Sequence, residues 1–263
     1  MKIHSRARGA RLGQHFLTNP KVAFDVAHAA GIYKGDTVLE IGPGKGILTA
    51  EILKLGAHVV AIEKDPVMVV ILKERFAKEI AEKKLTLLEA DARDVLKTPQ
   101  EILGGTYKVA ANIPYYITGE LLRLCLTSKY PPTSLAFLVQ KEVAVRIVRS
   151  KKESILSLSI KVFGDPKYVK TVPRGNFNPP PSVDSAILSV SDISRKNFTN
   201  VSEKDFFAVV KAGFAQKRKT LGGNLKRAFG ERGLLALKRL DISSQVRAED
   251  VPLESWLQIA QRI

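Results

Sequence analysis

The stretch Thr37-Val38-Leu39-Glu40-Ile41-Gly42-Pro43-Gly44-Lys45-Gly46 constrains this chain more than any other. Val38 to Ile41 is a short, apolar, β-branched run and predicts a buried strand. Glycines at every second position then interrupt it, and Ile47 to Leu55 follows with helical spacing of apolar residues. Strand, glycine turn and helix together bring backbone N–H groups and a helix N-terminus up against a nucleotide-like ligand. Glycine is needed there because a Cβ would block close approach and part of the turn must visit positive φ. The spacing departs from the dinucleotide fingerprint G-x-G-x-x-G, whose third glycine would fall on Ile47, and disfavours that ligand. His58 to Glu63 reads as the next strand and ends in a carboxylate 21 residues after Gly42, placed to accept ribose hydroxyls.

Charge narrows the partner. Against 42 Lys plus Arg stand 26 Asp plus Glu, a net charge of +16 with a pI near 9.9, which points to a polyanion. That polyanion is either nucleic acid or an acidic membrane surface; no apolar run approaches the roughly 18 residues that span a bilayer, and the expected partner is nucleic acid with no membrane. Cys125 is the one cysteine, which predicts a reducing, cytoplasmic setting without an intrachain disulfide. His4, His15, His28 and His58 are scattered and make no metal-ligand spacing, so no metal is expected.

Along the chain, residues 1 to 21 carry Lys2, Arg6, Arg8, Arg11 and Lys21 without an acid. This is a basic arm with Arg11 as a candidate RNA contact. Asn19 and Pro20 predict the N-cap and first position of a helix with Val22, Val26 and Ala29 on one face. Pro66 opens a predicted helix to about Lys84, with Met68, Ile71, Leu72 and Phe76 as its buried stripe. Leu85 to Asp91, Lys108 to Ala111 and Leu135 to Gln140 read as further strands, the last followed by a helix from Lys141 to about Arg149. Strands alternating with helices predict a parallel sheet. Ile155 to Phe163, Lys167 to Val172 and Val183 to Val190 read as additional, antiparallel strands, and Phe177-Asn178-Pro179-Pro180-Pro181 as a stiff loop. Residues 191–263 hold 14 basic and 8 acidic side chains and predict a small helical domain. Lys211, Lys217, Arg218, Lys219, Lys226 and Arg227 would form its basic face. The expected division is a catalytic domain over 1–190 and an RNA-binding domain over 191–263.

The carboxyl ends of the first four strands supply Gly42, Glu63, Asp91 and Asn112, the edge where ligands of open α/β sheets sit. Asp91 is placed to accept from an adenine amine, or to cap the helix that follows. Asn112-Ile113-Pro114-Tyr115 is the most specific stretch. The exocyclic amine of a nucleobase is a poor nucleophile because its lone pair is delocalised into the ring. Two acceptors aimed at its hydrogens, the Asn112 amide oxygen and a main-chain carbonyl, favour a pyramidal nitrogen with a usable lone pair. Pro114 fixes the backbone, and Tyr115 can stack on an extruded base. A plain strand-to-helix turn built from Asn and Pro is the competing reading.

Glu40-x-Gly42-x-Gly44-x-Gly46 resembles the first motif of Rossmann-like methyltransferases that bind S-adenosylmethionine. Together with Gly13-Gln14-His15-Phe16-Leu17, Asn112-Ile113-Pro114-Tyr115, Gln140-Lys141-Glu142-Val143-Ala144, Phe177-x-Pro179-x-Pro181-x-Val183-Asp184-Ser185 and Gln216 to Leu221, nearly the whole chain resembles the small-subunit ribosomal RNA adenine dimethyltransferases. The resemblance implies a Rossmann-like fold, a mostly parallel sheet with an antiparallel edge, plus a small C-terminal all-α domain. It implies S-adenosylmethionine contacts at His15, Leu17, Gly42, Gly44, Glu63, Asp91 and Asn112. Target-base handling falls to Asn112, Pro114, Tyr115 and Phe177, and RNA contacts to Arg11, Lys217, Arg218 and Lys219. His15 departs from the Asn of many members, and Ile113 from a frequent Leu. The expected activity is dimethylation of N(6) on two adjacent adenosines of small-subunit ribosomal RNA, by a cytoplasmic monomer acting in ribosome biogenesis. Three alternatives stay open: a macrolide-resistance type of large-subunit methyltransferase, a non-catalytic ribosome-assembly factor, and an NAD-dependent oxidoreductase.

Overall fold

The computed structural model describes residues 15–263; Arg11, Gly13 and Gln14 lie outside the described residues. In chain order the elements begin with β1 (Phe16–Leu17), α1 (Pro20–Ala29), β2 (Thr37–Ile41), α2 (Ile47–Lys54), β3 (His58–Glu63), α3 (Pro66–Arg75) and α4 (Ala77–Ala81). There follow β4 (Leu85–Glu89), α5 (Ala92–Val95), α6 (Pro99–Leu103), β5 (Lys108–Asn112), α7 (Thr118–Thr127), β6 (Ser134–Gln140), α8 (Lys141–Val148) and α9 (Ile155–Lys161). The chain ends with β7 (Asp165–Val172), β8 (Phe177–Asn178), β9 (Ser185–Ser191), α10 (Glu203–Gly213), α11 (Leu221–Phe229), α12 (Glu231–Arg239) and α13 (Leu253–Ala260).

Two compact units emerge: residues up to Ala144 with Pro166–Ile193, and Val145–Asp165 with Ser194–Ile263. The boundary expected at 190/191 falls close to the second junction, and Val145–Asp165 adds an earlier segment to the helical unit.

Among the described residues the first unit is built on a sheet of strand order β4-β3-β2-β5-β6-β9-β7. β4, β3, β2, β5 and β6 run parallel, and β9 pairs antiparallel with β6. One face of this sheet shows the period of two that a strand imposes. Val38, Val59, Ala61, Ala110, Ala136, Leu138 and Ile187 turn to that side and meet Val22, Val26, Leu48 and Ile52 of α1 and α2 in one core cluster. α1 begins as its residues require, with Pro20 at the first position and Asn19 accepting the Lys21 N–H at 2.9 Å. A separate two-stranded ladder joins β1 to β8, pairing Leu17 with Phe177.

Two expectations fail. The helix after Pro66 stops at Arg75, because Phe76 leaves helical geometry (φ −114°, ψ 29°) and turns into the core at 5% exposure. Its buried stripe is Val69, Leu72 and Phe76, whereas Ile71 is exposed. Ile155–Lys161 is a helix and not a strand. Ser154 and Ser157 form a reciprocal capping box, and Glu153 pairs with Lys161 at 2.6 Å across two turns. The apolar–polar alternation over Leu156-Ser157-Leu158-Ser159 imitates a strand, but cap and ion pair only close on a helix.

The second unit packs Phe163, Phe198, Phe206 and Phe207 into an aromatic cluster, with centroids 5.2–6.1 Å apart. Trp256, fully buried, stacks on Phe214 and donates its indole N–H to the Val251 carbonyl at 3.1 Å.

Candidate active site at the carboxyl edge of the sheet

Parallel pairing aligns four strand tips. Ile41 lies beside Ile62 and Ala111, and Glu63 beside Glu89, so the order β4-β3-β2-β5 sets Asp91, Glu63, Gly42 and Asn112 along one edge. The turn after β2 takes positive φ at Gly42, Gly44 and Gly46 (67°, 55° and 77°). At Gly44 the reason is close approach as well as φ: a Cβ there would lie 2.9 Å from the Phe16 ring. Gly46 caps α2 in the left-handed region, and a Cβ would reach 2.4 Å from Phe76.

The bare backbone of this turn organises Glu63. The Gly44 N–H donates to its Oε2 at 3.0 Å, and the Lys64 and Asp65 N–H groups to its Oε1 at 2.9 Å each. Three of a carboxylate's roughly four acceptor directions are therefore taken, which fixes its orientation and leaves about one for a further donor. Burial pushes the Glu63 carboxyl up, against the pull of those three donors. Glu40, fully buried at the end of β2, is more exceptional. Neither of its oxygens, nor the neighbouring Thr49 hydroxyl, completes a hydrogen bond of normal geometry. Burial first, and the nearby Glu63 charge, push its pKa to about 8; the proximity of Thr49 pulls the other way.

Asp91 acts as a cap. It accepts the Arg93 N–H at 3.0 Å as N-cap of α5, and its carboxylate also takes Arg93 Nε, Arg93 Nη2 and Lys64 Nζ at 2.6–3.0 Å. The Arg93 guanidinium in particular holds its carboxyl well below the usual range. An adenine amine would have to share an acceptor that is already saturated.

Asn112 closes β5. Its Nδ2 gives one of its two N–H groups to the His15 carbonyl at 3.3 Å, which orients the amide. Pro114 is extended (φ −55°, ψ 136°), and its carbonyl turns inward to accept the Ile117 N–H at 3.2 Å. Tyr115 is half-buried. Its hydroxyl lies 2.6 Å from the Ser185 hydroxyl, and its ring stacks on His15 with centroids 5.9 Å apart. His15 Nδ1 donates to the Pro179 carbonyl at 2.8 Å, so in the neutral ring Nε2 is an acceptor. In that neutral ring the one N–H is therefore already used. Leu17 and Phe177, each 4% exposed, belong to the core cluster beneath the edge.

Lys217, Arg218 and Lys219 are all exposed, in the turn between α10 and α11 rather than on a helix face. The buried Asn224 pins that turn, donating to the carbonyls of Gly213 (2.6 Å) and Gln216 (3.2 Å). Ser185 and Asn224 carry no expectation from sequence. Ser185 does close the Phe177-to-Ser185 motif, and that was its only signal. Among the described residues no group of three or more His, Cys, Asp or Glu gathers as a metal site. No helix there is long and apolar enough to cross a membrane.

Known proteins resemble this chain in sequence and fold. A ribosomal RNA small subunit methyltransferase A from Dehalococcoides mccartyi is 41% identical over 252 residues, covering 93% of this chain and 84% of the relative. One of the same name from Magnetococcus marinus is 36% identical over 264 residues, covering 99% and 93%. The crystal structure of a dimethyladenosine transferase from Plasmodium falciparum matches with a TM-score of 0.78 at 28% identity, covering 93% of this chain and 96% of that one. The 23S rRNA methyltransferase ErmE shares the fold, with a TM-score of 0.74 at 24% identity over 94% and 98% of the two chains. The family model for ribosomal RNA adenine dimethylase matches residues 6–263, and the chain belongs to that family.

Proposed function

We propose that this chain uses S-adenosylmethionine to dimethylate the N(6) amine of two adjacent adenosines in small-subunit ribosomal RNA. It would act as a cytoplasmic monomer during subunit biogenesis. The observation that carries the reading is Asn112, held at a strand tip by its amide nitrogen with no donor on its oxygen among the described residues, in a chain whose family membership spans residues 6–263.

The residues fit the cofactor. The turn from Gly42 to Gly46 offers backbone without side chains, and Glu63 is a fixed acceptor for ribose hydroxyls. Glu63 is a buried carboxylate, and a ligand carrying positive charge offsets part of the cost of holding it out of water. Bound S-adenosylmethionine supplies a methyl group made electrophilic by its sulfonium. Leu17 and His15 are assigned contacts with the cofactor on the family resemblance, and Asp91 would reach an adenine amine once Lys64 or Arg93 swings aside.

Asn112 Oδ1 accepts from the target amine and leaves the nitrogen lone pair pointing out of the ring plane. Pro114 fixes the backbone beside it. Tyr115 stacks on the extruded base, and Phe177 supports the pocket from the core. The proton leaves after the methyl arrives, so no general base is needed. The first unit carries this chemistry; Lys217, Arg218 and Lys219, with Arg11, neutralise phosphates.

Incubation with labelled cofactor and both ribosomal RNAs, followed by mass spectrometry of the digest, tests the reading. N(6),N(6)-dimethyladenosine in the small-subunit RNA is expected. Label confined to large-subunit RNA would select the macrolide-resistance reading, and no label at all a non-catalytic assembly role.

A further inference from the structure

Tyr115 is held from two directions by one segment. Ser185, wholly buried at the start of β9, lies 2.6 Å from its hydroxyl. The antiparallel register that pairs Ser185 with Gln140 fixes where that hydroxyl stands. On the ring side, His15 stacks at 5.9 Å and is itself anchored to the Pro179 carbonyl. The other end of the segment is tied down by the ladder pairing Leu17 with Phe177. A tyrosine ring has two free torsions, and a bond at its hydroxyl with a stack on its face restrains both.

We propose that Ser185 is a positioning residue for methyl transfer: its hydroxyl pins the Tyr115 phenol and holds the ring ready to stack on the extruded adenine. The inference rests on the proposed function and gives the Phe177-to-Ser185 motif a task in it. A platform already oriented does not have to be ordered when RNA binds, so its benefit falls on engagement of the base. The phenol is bonded to a neutral hydroxyl, an anchor rather than a proton relay. Burial, which pushes the phenol's pKa up, acts in the same sense by disfavouring phenolate.

The test is single-turnover methylation by the full chain at saturating cofactor, together with RNA affinity. A parallel RNA carrying 2-aminopurine at the methylated position reports stacking through fluorescence quenching. Ser185→Ala and Tyr115→Phe are each expected to slow transfer about 3- to 10-fold, the scale of one neutral hydrogen bond. Both should weaken the quench, leave cofactor affinity unchanged, and combine in the double variant without further loss. Additive losses, or normal rate and quench in both variants, would overturn the proposal. So would a loss beyond about 100-fold in Tyr115→Phe with an altered pH profile, because the hydroxyl would then take part in the chemistry. If Ser185→Ala does not fold, Tyr115→Phe decides alone: wild-type rate and quench overturn the idea, a modest loss with weaker quench supports it. A wild-type chain that leaves small-subunit RNA unmethylated strikes down the functional reading and this inference with it.

Discussion

At the scale of single residues, the site divides into groups that wait for a ligand and groups that are already satisfied. Asn112 is assigned to the first: one N–H of its amide goes to the His15 carbonyl, and among the described residues no donor is seen on its oxygen. Asn112→Ala removes an acceptor used mainly in the transition state, so transfer should slow about 30- to 1000-fold while RNA affinity changes little. Single-turnover rates and separate RNA titrations measure the split, and near-normal transfer would return this loop to an ordinary turn. Asp91 belongs to the second group, with four donors on its carboxylate. Glu40 belongs to neither, and its pKa of about 8 has a consequence for stability. Between its ordinary value of 4.5 and about 8, the folded chain keeps a proton that the unfolded chain gives up. Stability from this group is therefore greatest below about 4.5 and declines as pH rises through that window. Glu40→Gln should remove the decline, making the variant more stable than wild type by up to about 3 kcal/mol near neutral pH. Denaturant unfolding from pH 5 to pH 9 checks this, and a gap independent of pH would show Glu40 ionised throughout.

Among the elements, the glycine turn depends on what lies behind it. Gly46 combines a φ of 77° with Phe76 and Leu72 packed where a Cβ would go. Gly46→Ala should cost about 2–4 kcal/mol, from left-handed strain plus overpacking, and appear as a lowered melting temperature. An unchanged melting temperature would mean that α3 yields easily. The same packing ends α3 at Arg75: Phe76 leaves the helix to fill the space the glycine leaves open. No apolar period announces that exchange, because it joins residues 30 apart in the chain. At Ile155–Lys161 the signal was present but of another kind, a Ser154-x-x-Ser157 capping box set inside a strand-like alternation. Local hydrogen bonds outweighed the pattern.

For the molecule as a whole, a net charge of +16 and a helical unit bearing an exposed basic turn imply phosphate contacts. Changing Lys217, Arg218 and Lys219 together to Ala should flatten the slope of log affinity against log salt by about two or three. RNA titrations at several salt concentrations measure it, and an unaltered slope would make the turn a solvated bystander. The amino-acid sequence by itself determined the alternation of strands and helices through the parallel sheet, the glycine turn, and which residue types stand at the strand tips. Periodicity, glycine spacing and charge are local properties, legible wherever neighbouring residues act together. Only the tertiary structure decided which acceptors are free. Asp91 is saturated and Asn112 is not, Glu40 is sealed beside Thr49 without a hydrogen bond of normal geometry, and Phe177 lies in the core. It alone brought Ser185 to Tyr115 across 70 residues, because that contact follows from the register of β6 on β9, and register is set by the packed sheet rather than by either segment.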